Sequence, residues 1–275
     1  MNARISTALA AAAIGLAALA TPVTAQAGNV GYYEMCTGTG GTGHAAAITA
    51  AGHTPVNVEV PDAATLSTLE GLFVTNCNNS GYGGEYLANL GAIDNAVQTQ
   101  GLILVVHDRY VSGASTILAG VNGIRGTSEN IDLPAGSPLL SGPGGTLDNG
   151  SLDGRGYSNH GYVVAASLPA GGAVLANNGV IDRAVTMVYP RGTGKVVYST
   201  IPLDLWVQND ANFRDIYTPN LLAWAVFTSC ADEGLTGSKL TLCRQICEID
   251  QTPTRLTSLI KLYMTAYRSE PPCGR

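Results

Sequence analysis

Short apolar stretches alternate with helix-forming segments along the first half of the chain. Leu102–Val106 is a continuous run of aliphatic residues, typical of a parallel strand buried on both faces. The pattern predicts strands and helices in the order Asn29–Met35 (strand), His44–Ala51 (helix), Pro55–Val60 (strand), Leu69–Cys77 (strand), Glu85–Gln98 (helix) and Leu102–Val106 (strand). This alternation predicts an α/β fold of the flavodoxin-like type, an open, mainly parallel sheet with helices on both faces.

The pattern changes after the fourth strand. Asn122–His160 is rich in Gly, Pro, Asn and Asp and has no clear periodicity, which is typical of a functional loop or lid. Short alternating strands are then predicted at Tyr162–Leu168, Gly172–Ala176, Ala184–Tyr189 and Gly194–Ile201, the last two as a hairpin. A buried helix is predicted to follow, with Thr218 as its N-cap and Pro219 in its first turn.

The first 27 residues have the pattern of an export signal. Arg4 precedes the apolar run Ala8–Ala20, and Ala25-Gln26-Ala27 is a small-x-small cleavage site. We therefore expect a mature chain that begins at Gly28 and is secreted to the periplasm or the cell exterior. A retained membrane anchor is the alternative, but the run is short for a bilayer, and no later stretch of the sequence is long and apolar enough to span one.

Cysteine usage agrees with an oxidising compartment. Cys36 and Cys77 follow the first and third predicted strands, which are neighbours in a flavodoxin-like sheet, and this proximity predicts a disulfide between them. A free nucleophilic Cys77 is the alternative. Disulfides are also predicted for four cysteines near the end of the chain, Cys230, Cys243, Cys247 and Cys273. Their three possible pairings stay open, and a zinc site is the weaker interpretation because the segment contains no histidine.

Charge divides the chain at Cys230. Residues 28–230 hold 7 basic and 15 acidic side chains, whereas residues 231–275 hold 6 and 5. An acidic main domain argues against nucleic-acid binding. We predict a signal peptide over 1–27, an α/β domain over 28–230 and a Cys-containing helical hairpin over 231–275. Disulfides must hold this hairpin module, since about 45 residues bury little apolar core.

Polar residues end the fourth strand. His107, Asp108 and Arg109 lie where an open α/β sheet binds its ligands, beyond the carboxyl ends of the strands. Asp108 and Arg109 at this strand end, together with His160 from the end of the long loop, are the predicted ligand-binding residues. The turn Cys36–Gly43 is glycine-rich, but no acidic residue follows at the position that a dinucleotide site needs, and close packing explains the glycines as well; no cofactor or metal is expected.

Several segments together resemble the class I glutamine amidotransferase-like superfamily, and more closely its secreted bacterial trehalose-utilisation (ThuA-like) branch. The resemblance covers Gly28–Ser229 and is carried by 50–53, 72–76, 102–108, 158–161, 194–204 and 217–222. In true amidotransferases it implies a Gly-x-Cys-x-Gly elbow and a His-x-Glu pair. Here the turn reads His107-Asp108-Arg109-Tyr110, and Gly161-Tyr162 follows His160. The final segment resembles a small Cys-containing module of other secreted bacterial proteins.

Two functions fit these residues. The missing elbow favours a non-catalytic protein, because the covalent step of acyl transfer needs a thiolate or alkoxide. By analogy with the family that the chain resembles, its expected ligand is a glycan or another envelope component. The alternative is a nucleophile-free hydrolase or lyase acting on a carbohydrate or small polar substrate, with Asp108, His160 and His107 as base and orienting groups. Under either hypothesis Asp108→Ala is expected to leave folding nearly intact.

Overall fold

The computed structural model describes residues 28–36, 43–111, 121–226, 230, 237–247 and 253–267. Strands of the main sheet are β1 (Asn29–Glu34), β2 (Thr54–Asn57), β3 (Gly71–Asn76), β4 (Ile103–Asp108), β5 (Gly123–Ser128), β8 (Asn159–Val164), β9 (Ala173–Asn177), β10 (Arg183–Arg191) and β11 (Gly194–Ser199), and a separate hairpin contains β6 (Ser141–Gly142) and β7 (Gly145–Thr146). Helices are α1 (His44–Ala50), α2 (Ala63–Leu66), α3 (Gly84–Gln100), α4 (Leu203–Asn209), α5 (Thr218–Ala225), α6 (Gly237–Cys247) and α7 (Pro253–Tyr267), with a 3₁₀ turn at Ala165–Ser167 and a π-helix at Asn212–Tyr217.

The sheet has nine strands and combines two kinds of pairing. Strands β2, β1, β3, β4 and β11 lie side by side and are parallel, which is the flavodoxin-like order. Beyond β11 the pairing becomes antiparallel through β10, β8 and β5, and β9 also pairs with β10. The predicted α/β fold is confirmed, including the β10–β11 hairpin, and the rest of the sheet is an antiparallel extension.

Helices cover both faces of the sheet, as predicted. One apolar cluster joins α1, α4 and α5 to one face through Ile48, Leu203 and Leu221. The other joins α2 and α3 to the opposite face through Leu66 and Ile93. Every residue of β3 is buried, which is why this strand has no polar–apolar alternation in the sequence.

The long segment between β4 and β8 is not a detached lid. Its middle contributes buried apolar side chains to the α1–α4–α5 cluster, among them Leu139, Leu147 and Leu152. It also contains β5, which the sequence did not predict. The start of helix α5 differs from the prediction. The helix continues directly from the π-helix, and the Thr218 hydroxyl donates to the Phe213 carbonyl at 2.6 Å, so Thr218 does not cap the helix.

Disulfides are present in both predicted regions. Cys36 and Cys77 are bonded, with their Cα atoms 5.9 Å apart, so neither is a free thiol. Cys230 is bonded to Cys243, and Cys247 is disulfide-bonded as well. Cys273, like the predicted signal peptide, lies outside the described residues. Within the ranges described, no helix has the length and apolar character needed to cross a membrane.

Candidate functional site

A groove of about 610 Å³ lies beyond the carboxyl end of β4. Its walls come from the loop after β3, the turn after β4, strand β5, the segment before β8 and helix α4. The lining residues are Asn79, Arg109, Arg125, Gly126, Thr127, Tyr157, His160 and Leu205. We call this cavity the strand-end groove. It brings together Arg109 and His160, two of the three predicted ligand-binding residues.

The usual ligand crevice of this strand order lies elsewhere. A flavodoxin-like sheet binds its ligand where the strand order reverses, between β1 and β3. Here Cys36 and Cys77 cross-link the loops that follow those two strands. Gly83 also packs against the first loop, since a Cβ at this position would lie 2.5 Å from the Met35 carbonyl oxygen. The strand-end groove is therefore displaced along the sheet toward β4, β5 and β8.

Asp108 is buried beneath the turn that follows β4, and its carboxylate is fully engaged. Its side chain has no solvent exposure. The Tyr110 and Val111 backbone amides donate to the carboxylate at 2.8 and 3.1 Å. Three side chains donate to it as well: Asn76 at 3.1 Å, Tyr82 at 2.9 Å and Tyr198 at 2.8 Å. A carboxylate with five donors from the protein holds the turn in place and is not available to a ligand in this conformation.

The turn itself has an unusual backbone. Val111 has a φ of 40°, a left-handed conformation that is rare for a β-branched residue. Its side chain fits against Gly123 and Gly161, where an added Cβ would lie within 2.8 and 2.7 Å of a Val111 methyl group. Glycines in β5 and β8 thus make the space that this conformation requires. The residues that follow, 112–120, are outside the described ranges.

His107 points into the core instead of the groove. Successive side chains of a strand face opposite sides, so His107 and Asp108 diverge. The His107 imidazole is buried and its Nε2 hydrogen-bonds with the Tyr217 hydroxyl at 3.1 Å. Burial, together with the nearby His44, lowers the pKa of His107 to about 3, so the ring is neutral near pH 7. The structure therefore separates His107 from the other predicted site residues.

Arg109 forms one wall of the groove and is held by two partners. Its Nη1 donates to Asp204 at 2.8 Å, and its Nε donates to the Asn79 side-chain oxygen at 3.0 Å. Burial raises the pKa of Asp204, although the Arg109 charge opposes that shift. The Asp204 carboxylate therefore balances the positive charge of Arg109.

His160 lies close enough to Arg109 and Arg125 for both positive charges to affect its pKa. Its pKa is lowered by burial and then by the positive charge of Arg109, while the Arg109 carbonyl and the Asp108 carboxylate oppose the shift. The imidazole is therefore neutral near pH 7. Asp108 and His160 are close enough to interact electrostatically, but the described contacts include no hydrogen bond between them.

Sequence reasoning missed Arg125 and Tyr157. Arg125 donates from Nη2 to the Asn79 carbonyl at 2.9 Å, and its guanidinium lies 5.7 Å from the centre of the Tyr110 ring. Tyr157 is 57% exposed, and its carbonyl accepts a hydrogen bond from the Trp206 indole at 3.1 Å. Both belong to the turn-rich region 122–160, where the residue pattern carries no signal of β5.

Comparisons with known proteins add little at the level of sequence. No protein-family model matches the chain, and curated proteins give no match. Two solved structures are found as distant structural matches to this chain. One, from Thermoplasma acidophilum, is described as a GMP synthase subunit; it is 9% identical with a TM-score of 0.44, and the match covers 70% of this chain and 92% of that protein. A cold-adapted β-galactosidase from Rahnella sp. R3 is 14% identical with a TM-score of 0.38; the match covers 71% of this chain and 30% of the galactosidase.

Proposed function

We propose that this chain is a secreted, non-catalytic amidotransferase-like protein of the ThuA-like branch, which binds a glycan or another cell-envelope component in the strand-end groove. The observation that carries the proposal is the turn after β4. Its amides at Tyr110 and Val111, which in an elbow enzyme could stabilise an oxyanion, donate instead to Asp108. The described part of the turn, residues 109–111, contains no Ser or Cys, and a turn whose amides are occupied is poorly suited to acyl transfer.

The groove supports recognition of a polar ligand. It combines hydrogen-bond donors with one exposed aromatic ring, Tyr157, next to the buried His160. An aromatic face beside fixed polar groups is the arrangement with which proteins bind amphipathic rings such as sugars. The disulfides support secretion, because such bridges persist in oxidising compartments.

A glycan array followed by calorimetry tests the proposal. We expect the mature chain to retain at least one bacterial envelope or host glycan and to release it chemically unchanged. Tyr157→Ala should weaken that binding by roughly tenfold, the loss of one stacked aromatic contact. Ile181→Ala, which removes an exposed apolar side chain outside the groove, is the matched control and should have no effect. Absence of glycan binding, or equal losses in both variants, would contradict the proposal.

A hydrolase or lyase is the second candidate, and the neutral imidazole of His160 in the groove wall favours it. Asp108 could contribute only by orienting the turn, since its carboxylate is already bonded to five donors. Product analysis after prolonged incubation with each bound glycan distinguishes the candidates. Cleavage that is lost in His160→Gln while binding is retained would establish the enzyme.

A further inference from the structure

We infer that the strand-end groove selects saccharides that carry a carboxylate, such as uronic-acid oligomers. This inference rests on the proposed glycan-binding function and names the class of ligand. Three observations support it: the charged and hydrogen-bond-donating residues that line the groove, the unused donors of the Arg125 guanidinium, and the position of the Tyr157 ring.

The residues that line the groove are basic, although the protein as a whole is acidic. The whole chain has a formal net charge of −6, yet the described residues that line the groove include two arginines and no aspartate or glutamate. Asn79 and Thr127 can add neutral hydrogen-bond donors. An anionic ligand is therefore repelled by most of the surface and attracted here.

Arg125 supplies the charge that Arg109 does not. Arg109 is paired with Asp204, whereas the described contacts of Arg125 are a neutral carbonyl and an aromatic ring. Those contacts engage only Nη2 as a donor, so within the described residues Nε and Nη1 have no hydrogen-bond partner. A guanidinium with donors to spare matches the two oxygens of a carboxylate.

Arg125 lies beside an irregularity of β5, and two contacts hold its guanidinium. The register of β5 against β8 shifts by one residue between Arg125 and Ser128, as it does at a β-bulge. Bulges re-aim side chains beside binding sites, and here Gly126 and Thr127 of the bulge also line the groove. The ring of Tyr110 supports the guanidinium from one side. Arg125 is therefore positioned before a ligand arrives.

Net charge and ring position together indicate an acidic sugar. Arg109 is paired with Asp204, so among the described residues that line the groove Arg125 is the cation with no carboxylate partner. A single guanidinium of this kind suits a monoanion better than a dianionic phosphate. The Tyr157 ring, centred 6.0 Å from the His160 ring, provides an apolar face within reach of the same ligand. A pyranose ring with one carboxylate can use both features.

Calorimetry with paired saccharides tests the inference on the full mature chain. The probes are oligogalacturonate, oligoglucuronate and oligomannuronate, each beside its carboxyl-reduced neutral counterpart. We expect at least one acid to bind roughly tenfold or more tightly than its neutral counterpart, and Arg125→Gln to remove that difference. Arg183→Gln removes the same charge from a residue that packs on Tyr162 outside the groove, and it should keep the preference.

The outcomes separate this inference from the function on which it rests. If neutral saccharides bind as tightly as acids, or if Arg125→Gln binds the acids like the unaltered chain, the carboxylate preference is wrong and glycan binding stands. Equal affinity for a sulfated oligosaccharide also overturns it. If no saccharide of either kind binds here or on the array, both proposals fail. Should Arg125→Gln be misfolded, Arg125→Lys keeps the charge and should still lose most of the preference, because lysine lacks the planar fork.

Discussion

Asp108 has a structural role that its position in the sequence did not suggest. A polar residue at the end of a buried strand was a reasonable ligand-binding candidate, and its removal was expected to be tolerated. The carboxylate instead receives five hydrogen bonds with no solvent exposure. Without the Asp108 carboxylate these buried donors would have no acceptor, and this loss would destabilise the folded state.

Asp108→Asn should lower the free energy of unfolding by roughly 3–5 kcal/mol, since an amide NH₂ would face donors in either orientation. Urea denaturation followed by circular dichroism measures the loss. Asp94→Asn is the matched control, because Asp94 pairs with Arg191 on a partly exposed surface and should cost less than about 1 kcal/mol. Equal stability of the Asp108 variant and the unaltered chain would show that the turn is held by other contacts.

Two buried histidines make stability depend on pH. Burial lowers the pKa of His44 to about 4 and of His107 to about 3, whereas both are near 6.5 in the unfolded chain. The unfolded state therefore binds more protons below pH 6.5, and stability falls as the pH decreases toward the folded pKa values. Each histidine contributes up to about 1.4 kcal/mol per pH unit in that window.

His107→Gln should reduce this acid sensitivity. Glutamine can keep a hydrogen bond to Tyr217 but does not take up a proton. Unfolding free energies at pH 7.5, 5.5 and 4.5 should fall less steeply in the variant, by up to about 1.4 kcal/mol per pH unit below 6.5. The expectation fails if the two slopes are the same between pH 5.5 and 4.5.

At the residue scale, part of the site was predictable. Arg109 was predicted because it follows a strand end and His160 because it ends the long loop, and both line the groove. The separation of His107 from Asp108 follows from strand alternation once β4 is extended to Asp108. Arg125 and Tyr157 could not be found, since their places depend on pairings between segments that are distant in the sequence.

At the scale of elements, the buried strands could be predicted from the sequence and the exposed strand β5 could not. Strands β3 and β4 are apolar runs and were found within a few residues of their observed bounds. Strand β5 reads Gly-Ile-Arg-Gly-Thr-Ser and has no buried residue, so it carries neither an apolar run nor a useful alternation. Its pairing with β8 supplies the regularity that its side chains lack.

The Cys36–Cys77 disulfide links the loops after β1 and β3 and should contribute to the free energy of unfolding. It closes a loop with a sequence separation of 41 residues, for which chain entropy gives about 4 kcal/mol of stabilisation, commonly less in practice. The double variant Cys36→Ser/Cys77→Ser should therefore lose roughly 2–4 kcal/mol of unfolding free energy. Ligand affinity in the strand-end groove should change less than about threefold, because no bridge atom lines it. A large loss of affinity in a folded variant would place the binding site at the β1–β3 crevice.

At the scale of the whole molecule, the predicted cleavage after Ala27 would leave one residue, Gly28, ahead of β1. Gly28 is buried, and a Cβ at this position would overlap the Glu70 carboxylate, so glycine fits the space immediately before β1. Expression with the natural leader in a bacterial host, followed by intact-mass measurement, should give a chain that begins at Gly28. A mass that retains residues 1–27 would contradict export by cleavage.

The two C-terminal helices have an apolar cluster of their own. Cys230, Leu242, Cys243, Ile246 and Tyr263 are buried in it, separately from the two clusters that flank the sheet. Because no apolar cluster of the described residues joins these helices to the sheet, we expect the small core to unfold at its own temperature. Tyr263→Ala should therefore lower one minor calorimetric transition and leave the main one within about 1 °C. Leu262→Ala, on the same helix but 55% exposed, is the matched control and should move neither transition. A single transition shifted as a whole by Tyr263→Ala would mean that the helices and the sheet fold as one cooperative unit, and the predicted boundary at residue 230 would be wrong.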